Sequence, residues 1–195
     1  EAAGRRTLLY GETLATSLFV NSVVKYTVQR PRPYVYHNDP KVKAWAANQG
    51  DAQVSFYSGH ASMSFSAATA GSILFSLSSG SEGAKAAVWG TELALASATS
   101  VMRVRAGKHF PSDVLVGALA GAAIGVVVPA LHTGSVYRPS ALEWGAMAGG
   151  LGVGTVLAKA FPLGDQVDRI GRFQALKLAP LATAHGGGLS LAAKF

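Results

Sequence analysis

From Val114 to Tyr137 the chain carries no Asp, Glu, Lys or Arg, and most of the run is Ala, Gly, Val and Leu. Such a stretch is long enough to cross a bilayer, and as a helix it has to be buried in a bundle or face lipid. Five stretches read as helices: Thr7 to about Tyr26, Ala61 to about Ser79, Ala84 to Val104, Asp113 to about Leu131, and Ser140 to Ala160. Breakers separate them, at Arg30-Pro-Arg-Pro33, Ser78-Ser-Gly-Ser-Glu-Gly83 and His132-Thr-Gly-Ser135. The expected fold class is therefore all-α: a compact helical bundle over residues 1–195, read as one domain. Val35 to Ser55 is polar and loop-like, and is expected to cover a site. From Phe173 to Phe195 apolar residues partly alternate (Leu176, Leu178; Leu189, Leu191) around Gly186-Gly-Gly188, which predicts a short β-hairpin or extended tail.

Charge is scarce. Hydrophobic residues make up 49% and charged residues 14%, against roughly 25% charged in an average soluble domain. Glu12 and Glu92 fall in mid-helix, where an unpaired charge is costly in lipid. Small residues suit close helix packing in lipid and in a soluble bundle alike. A membrane-associated protein and a soluble periplasmic one both remain open, and oligomeric state is not legible. The absence of cysteine removes disulfides, thiolate chemistry and Cys-based metal sites.

The net charge of +7 is concentrated. Lys25, Arg30, Arg32, Lys41 and Lys43 form one group, opposed there by Asp39, and Arg103, Arg105 and Lys108 form another. Such fields suit a phosphate ester or an anionic membrane surface. Nucleic acid is not expected, because the chain has no aromatic-interleaved basic stripe, zinc-finger spacing or polar recognition helix.

Three short blocks carry chemistry. In Lys25-x6-Arg32-Pro33, prolines on both sides stiffen the backbone at Arg32, whose guanidinium can fork onto two phosphate oxygens while Lys25 adds a point charge. Alone, the block also reads as cations completing a helix dipole. In Ser58-Gly59-His60, glycine permits close backbone approach and the following helix N-terminus offers free N–H groups to an anion. His60 then stands where it can protonate a leaving oxygen; alone, the block also reads as a serine N-cap beside a helix-start histidine. In Arg103-x5-His109-x3-Asp113, Asp113 can reach back to one ring nitrogen of His109, fixing the tautomer and leaving the other nitrogen as nucleophile. Arg103 closes the cradle. No His-x3-His or Glu-x2-His pair occurs, and the surrounding cations would repel a divalent ion, so no metal is expected. His37, His132 and His185 are read as surface or structural.

In this order the blocks resemble the type 2 phosphatidic acid phosphatase superfamily, which also contains bacterial class A acid phosphatases and vanadium haloperoxidases. Its pattern is Lys-x6-Arg-Pro, then Pro-Ser-Gly-His, then Ser-Arg-x5-His-x3-Asp. Tyr57 stands here where the family has Pro, and Met102 where it has Ser. The resemblance covers Lys25 to Asp113. It implies that Lys25, Arg32 and Arg103 bind phosphate with help from Ser58 and Gly59. It further implies that His109 attacks phosphorus to give a phosphohistidine, that Asp113 orients it, and that His60 protonates the leaving group.

The expected function is a metal-independent phosphatase acting on phosphate monoesters or pyrophosphates, the substrate being a phosphorylated lipid, an isoprenoid phosphate or a small phosphate ester. No cofactor is expected, with vanadate a possible phosphate mimic. The expected location is a bacterial cell envelope, membrane-associated or periplasmic, with the site extracytoplasmic. Two alternatives stand beside it: a vanadium-dependent haloperoxidase with His109 as vanadate ligand, and a non-catalytic membrane bundle with a relic anion site.

Overall fold

A computed structural model of the chain describes residues 2–161, and the backbone of 176–183 and 186–193. Six α-helices follow in order: α1 (Ala2–Val28), α2 (Pro40–Ala46), α3 (Gly59–Ser76), α4 (Glu82–Arg105), α5 (Pro111–Thr133) and α6 (Ala141–Ala160). Strands β1 (Leu176–Thr183) and β2 (Gly186–Ala193) then pair antiparallel, from Leu176 opposite Ala193 to Thr183 opposite Gly186. The fold is the expected helical bundle, and the hairpin falls within the predicted tail. The ends of that tail, 173–175 and 194–195, and His185 lie outside the described residues.

One expectation is corrected. The Val35–Ser55 segment is not wholly loop: it holds α2, preceded by a 3-10 turn over Pro33–Tyr36. The Asp39 carboxylate accepts from Lys41 N (2.7 Å) and Val42 N (3.3 Å), and Pro40 supplies the preset φ of a first helical residue. The short helix is held by burying Val42 and Ala46 with Tyr34.

Small side chains set how close the long helices come. On α5, Gly117, Gly121 and Gly125 lie one turn apart and face Ser58, Ser62 and Ser66 of the α3 segment. An added Cβ would meet the Ser58 carbonyl at 2.6 Å from Gly117, and the Ser66 carbonyl at 2.9 Å from Gly125. On α6, Gly150 and Gly154 press on the backbone of Gly90 and Ala94 in α4 in the same way. Around these seams Ile73, Trp89, Leu93, Ala96 and Met147 form the largest apolar cluster.

Several buried serines are hydrogen-bonded across helices, which offsets the cost of burying their hydroxyls. Ser17 and Ser62 pair at 2.8 Å, joining α1 to α3. Ser72 donates to Glu92 (2.8 Å), so this mid-helix carboxylate has a partner inside the bundle. Ser76 and Tyr137 donate to the buried Glu143 at 3.0 and 2.6 Å, and Glu143 also accepts from Ser140 N as the far half of a capping box.

The outside of the bundle is apolar. Leu8, Phe19, Leu119, Leu131 and Val156 are each more than 60% exposed. Among the described residues α5 and α6 are long and apolar enough to cross a membrane.

Candidate active site

Three chain breaks meet at one end of the bundle: the stretch after α1, the start of α3, and the turn between α4 and α5. Backbone hydrogen bonds stitch them together. Ser58 N donates to Asp113 O (2.9 Å), tying the N-termini of α3 and α5; Arg32 N donates to Ala52 O (2.8 Å) and Ser55 N to Arg30 O (2.9 Å). Asn21 Nδ2 holds the Tyr57 carbonyl at 2.8 Å, fastening α1 to the turn before α3. Ser58 N-caps α3, accepting from Ala61 N at 3.3 Å. Gly59 has no room for a side chain: an added Cβ would lie 2.6 Å from Asn21 Oδ1 and 3.5 Å from Lys25 Nζ. The missing methyl is what lets the Asn21 side chain lie against the start of α3, with the Lys25 ammonium beside it.

Arg32 is 4% exposed. Its Nε donates to Asp51 O (2.9 Å), its Nη1 to Lys108 O (2.8 Å), and its Nη2 pairs with Asp51 Oδ2 (2.9 Å). Nη1 also stands 3.1 Å from His109 Nε2. A guanidinium can only donate, so Nε2 is the acceptor and the ring proton belongs on Nδ1. His109 thus presents a lone pair into the cationic pocket.

His109 is buried, and its pKa falls to about 3, first through burial and then through the charges of Arg32, Arg103 and Lys25. His60, at the mouth, is also held below the ordinary imidazole value, by burial and then by Arg103, Lys25 and Arg32. Arg103 has a buried Nε with no hydrogen-bond partner among the described residues. Lys108 lies over the rings of Tyr34 (4.8 Å) and Trp45 (4.6 Å). Asp51 is the one carboxylate seen to pair within this group: burial pushes it up, but the Tyr34 hydroxyl, Arg32, Lys108 and Lys25 outweigh that and hold it below the usual range. Cations this close and this poorly neutralised form a pocket that a tetrahedral dianion would complete.

A second correction concerns Asp113. It stands near His109 but beyond hydrogen-bond distance: Oδ2 lies 3.8 Å from Nδ1, which makes no hydrogen bond within 3.5 Å among the described residues. Instead Asp113, fully buried, accepts from Arg30 Nη1 at Oδ1 (2.6 Å), and from Ser55 Oγ (2.5 Å) and Phe110 N (3.0 Å) at Oδ2. Helix geometry is the cause. Asp113 sits in the first turn of α5, where its nearest donor is the N–H just before the helix, and the stitched Arg30–Ser55 backbone brings two stronger donors to the other side. The Arg30 guanidinium also stacks on the Phe110 ring (4.1 Å) and reaches Ser112 Oγ (3.0 Å).

All eight predicted site residues therefore converge. Arg30 and Lys108, counted above only with the basic groups, join them, as do Asp51 and Ser55, which were not singled out. Arg30 has a sequence signal, its place in Arg-Pro-Arg-Pro, where the prolines stiffen the backbone that carries both arginines. Asp51 and Ser55 have none, because they arrive through the fold of the covering segment. Lys41 and Lys43, counted with the first basic group, are exposed on α2; Arg105 donates to the carbonyls of Ala158 and Phe161 at the end of α6. Among the described residues no group of His, Cys, Asp and Glu is placed to hold a metal ion.

The family model described as the PAP2 superfamily matches residues 6–137, which span α1 to α5 and all three blocks. The chain belongs to the PAP2 superfamily. The match confirms the resemblance carried by the three blocks. No curated protein and no solved structure matches the chain. Phosphatases are members of this superfamily, so the family-level reading is phosphoester hydrolysis.

Proposed function

We propose that this PAP2 protein hydrolyses phosphate monoesters or pyrophosphates through a phosphohistidine, without a metal ion. The carrying observation is the neutral His109 Nε2, 3.1 Å from the Arg32 guanidinium and surrounded by Lys25 and Arg103. Lys25, Arg32 and Arg103, with Ser58 and Gly59, hold the phosphoryl oxygens and stabilise the charge of the in-line transition state. The Nε2 lone pair forms the N–P bond as the ester P–O bond breaks. His60, protonated once the dianion is bound, gives its proton to the leaving oxygen. It then takes a proton from the water that attacks phosphorus and frees inorganic phosphate and His109. Asp113 acts as a positioning residue: with its oxygens fixed by Arg30, Ser55 and Phe110 N, it presents negative charge to the Nδ1 side, where the imidazolium develops.

Lipid or isoprenoid phosphates fit best, because the site opens at one end of a bundle whose outside is apolar and whose α5 and α6 can cross a bilayer. The reading places the protein in a bacterial envelope with the site extracytoplasmic. The deciding experiment compares phosphatidate, an isoprenyl pyrophosphate and p-nitrophenyl phosphate in detergent, with and without vanadate. Phosphate release from the lipid substrates, inhibited by vanadate and lost in His109→Ala, supports the proposal. Halide oxidation with vanadate and peroxide, without phosphate release, would replace it with the haloperoxidase reading.

A further inference from the structure

At the end of the bundle opposite the active site, Arg5, Arg6, Leu9, Leu74, Leu77, His132 and Thr133 surround a cavity of about 730 Å³. That volume is in the range of small-molecule sites. The start of α1, the end of α3 and the end of α5 build it, and none of these takes part in the chemistry above. Its floor is apolar and packed: Leu9 and Leu74 are 6% and 7% exposed. Its wall is cationic. Arg5 Nη2 donates to His132 O (3.2 Å), which steadies that side chain across the cavity, while Arg6 has no hydrogen bond or ion pair among the described residues. The acid facing this group is Glu12, and it is turned to His132 Nε2 at 3.3 Å.

The surroundings are greasy. Leu8 and Leu131, next in sequence to lining residues, are each 76% exposed, and Leu77 on the rim is 51% exposed. α5, with 23 residues, is about 34 Å long, close to the ~30 Å of a hydrocarbon core. If its N-terminus stands at one face of the bilayer, Thr133 and this cavity stand at the other. Two arginines over an apolar floor at that depth match an anion carried on a hydrocarbon tail, as basic pockets between helices do for lipid head groups.

We propose that this cavity binds the head group of an anionic phospholipid, at a site separate from the catalytic one. A free phosphate would use the arginines but not the leucines; a zwitterionic lipid would bring its own cation against them. The test uses the full chain in a neutral detergent and follows thermal unfolding with phosphatidylglycerol, phosphatidylcholine or inorganic phosphate. Phosphatidylglycerol at a hundredfold excess over its dissociation constant is expected to raise the Tm by at least about 5 °C. Arg6→Gln should lose much of that shift and the Arg5→Gln/Arg6→Gln pair nearly all of it. The unliganded Tm should stay close to wild type, since both arginines are exposed. No shift, an equal shift with phosphatidylcholine or with phosphate, or an undiminished shift in the double variant would overturn the proposal. The readout does not use hydrolysis, so it stands or falls apart from the phosphatase reading.

Discussion

Gly117→Ala tests the link from helix packing to catalysis. Gly117 lies on α5 two turns after His109 and faces the Ser58 carbonyl, the residue that caps α3 just before His60. The added Cβ would sit 2.6 Å from that carbonyl oxygen and 3.3 Å from Ala61 Cβ. Ordinary contact begins near 3.4 Å, so α3 and α5 must part by about 0.8 Å, and a backbone oxygen held as acceptor by Ser62 N cannot rotate away. Overpacking of this kind costs about 1–3 kcal/mol, and the better helix propensity of Ala returns about 1 kcal/mol. The net is a loss of up to about 2 kcal/mol, or a Tm lower by up to about 8 °C in a chain of this size. The effect on rate should be larger in proportion, because a shift near 1 Å between reacting groups costs up to about 100-fold, and His60 and His109 enter from the two helices being separated. Gly149→Ala is the control. It is also a helical glycine, on α6, but with nothing within 4 Å, so it should raise Tm by about 2–4 °C and leave activity alone. Thermal unfolding and p-nitrophenyl phosphate turnover measure both. A Gly117→Ala variant as stable as the control and within twofold of wild-type kcat would refute the argument that this seam sets the site's geometry.

The remaining predictions concern single side chains. Arg30→Ala removes the 2.6 Å bond to Asp113 but no phosphate ligand, so kcat should fall about tenfold at unchanged KM, with partial recovery in Arg30→Lys; a KM effect alone would show that Arg30 binds substrate instead. Asp51→Asn should free Arg32 for phosphate and tighten competitive inhibition by inorganic phosphate up to about fivefold, the ceiling for a half-exposed pair; weaker inhibition would mean that Asp51 is needed to hold Arg32 in place. The kcat/KM profile should keep its acid limb near pH 3, because His109 stays neutral down to there, and should fall on the alkaline side below pH 6.5 as His60 loses its proton; His60→Gln should abolish the alkaline limb. Both histidines are depressed in the folded state, so the unfolded chain binds more protons between about pH 3 and 6.5. Stability is therefore full above pH 6.5 and declines as pH falls through that window, and His109→Gln should flatten the decline in acid-titrated unfolding.

The sequence by itself determined the helices and the inventory of the site. Uncharged runs such as Val114–Tyr137 leave a chain no option but helix packed on helix or helix in lipid, and Pro and Gly mark where each run stops. Lys25, Arg32, His60, Arg103 and His109 were legible because their chemistry depends on residue type at short spacing. α2 was not, since its seven residues are held by Asp39 at one end and by Val42 and Ala46 beneath Tyr34, contacts too few and too distant in sequence to leave a periodic signal. Only the tertiary structure decided what Asp113 does. Spacing of four residues allowed a bond to His109, but a carboxylate goes to its strongest donors, and Arg30 and Ser55 are 83 and 58 residues away. The far cavity is of the same kind. Arg6, Leu74 and His132 mean nothing in a row; they become one amphipathic pocket only because α1, α3 and α5 end at the same depth of the bundle.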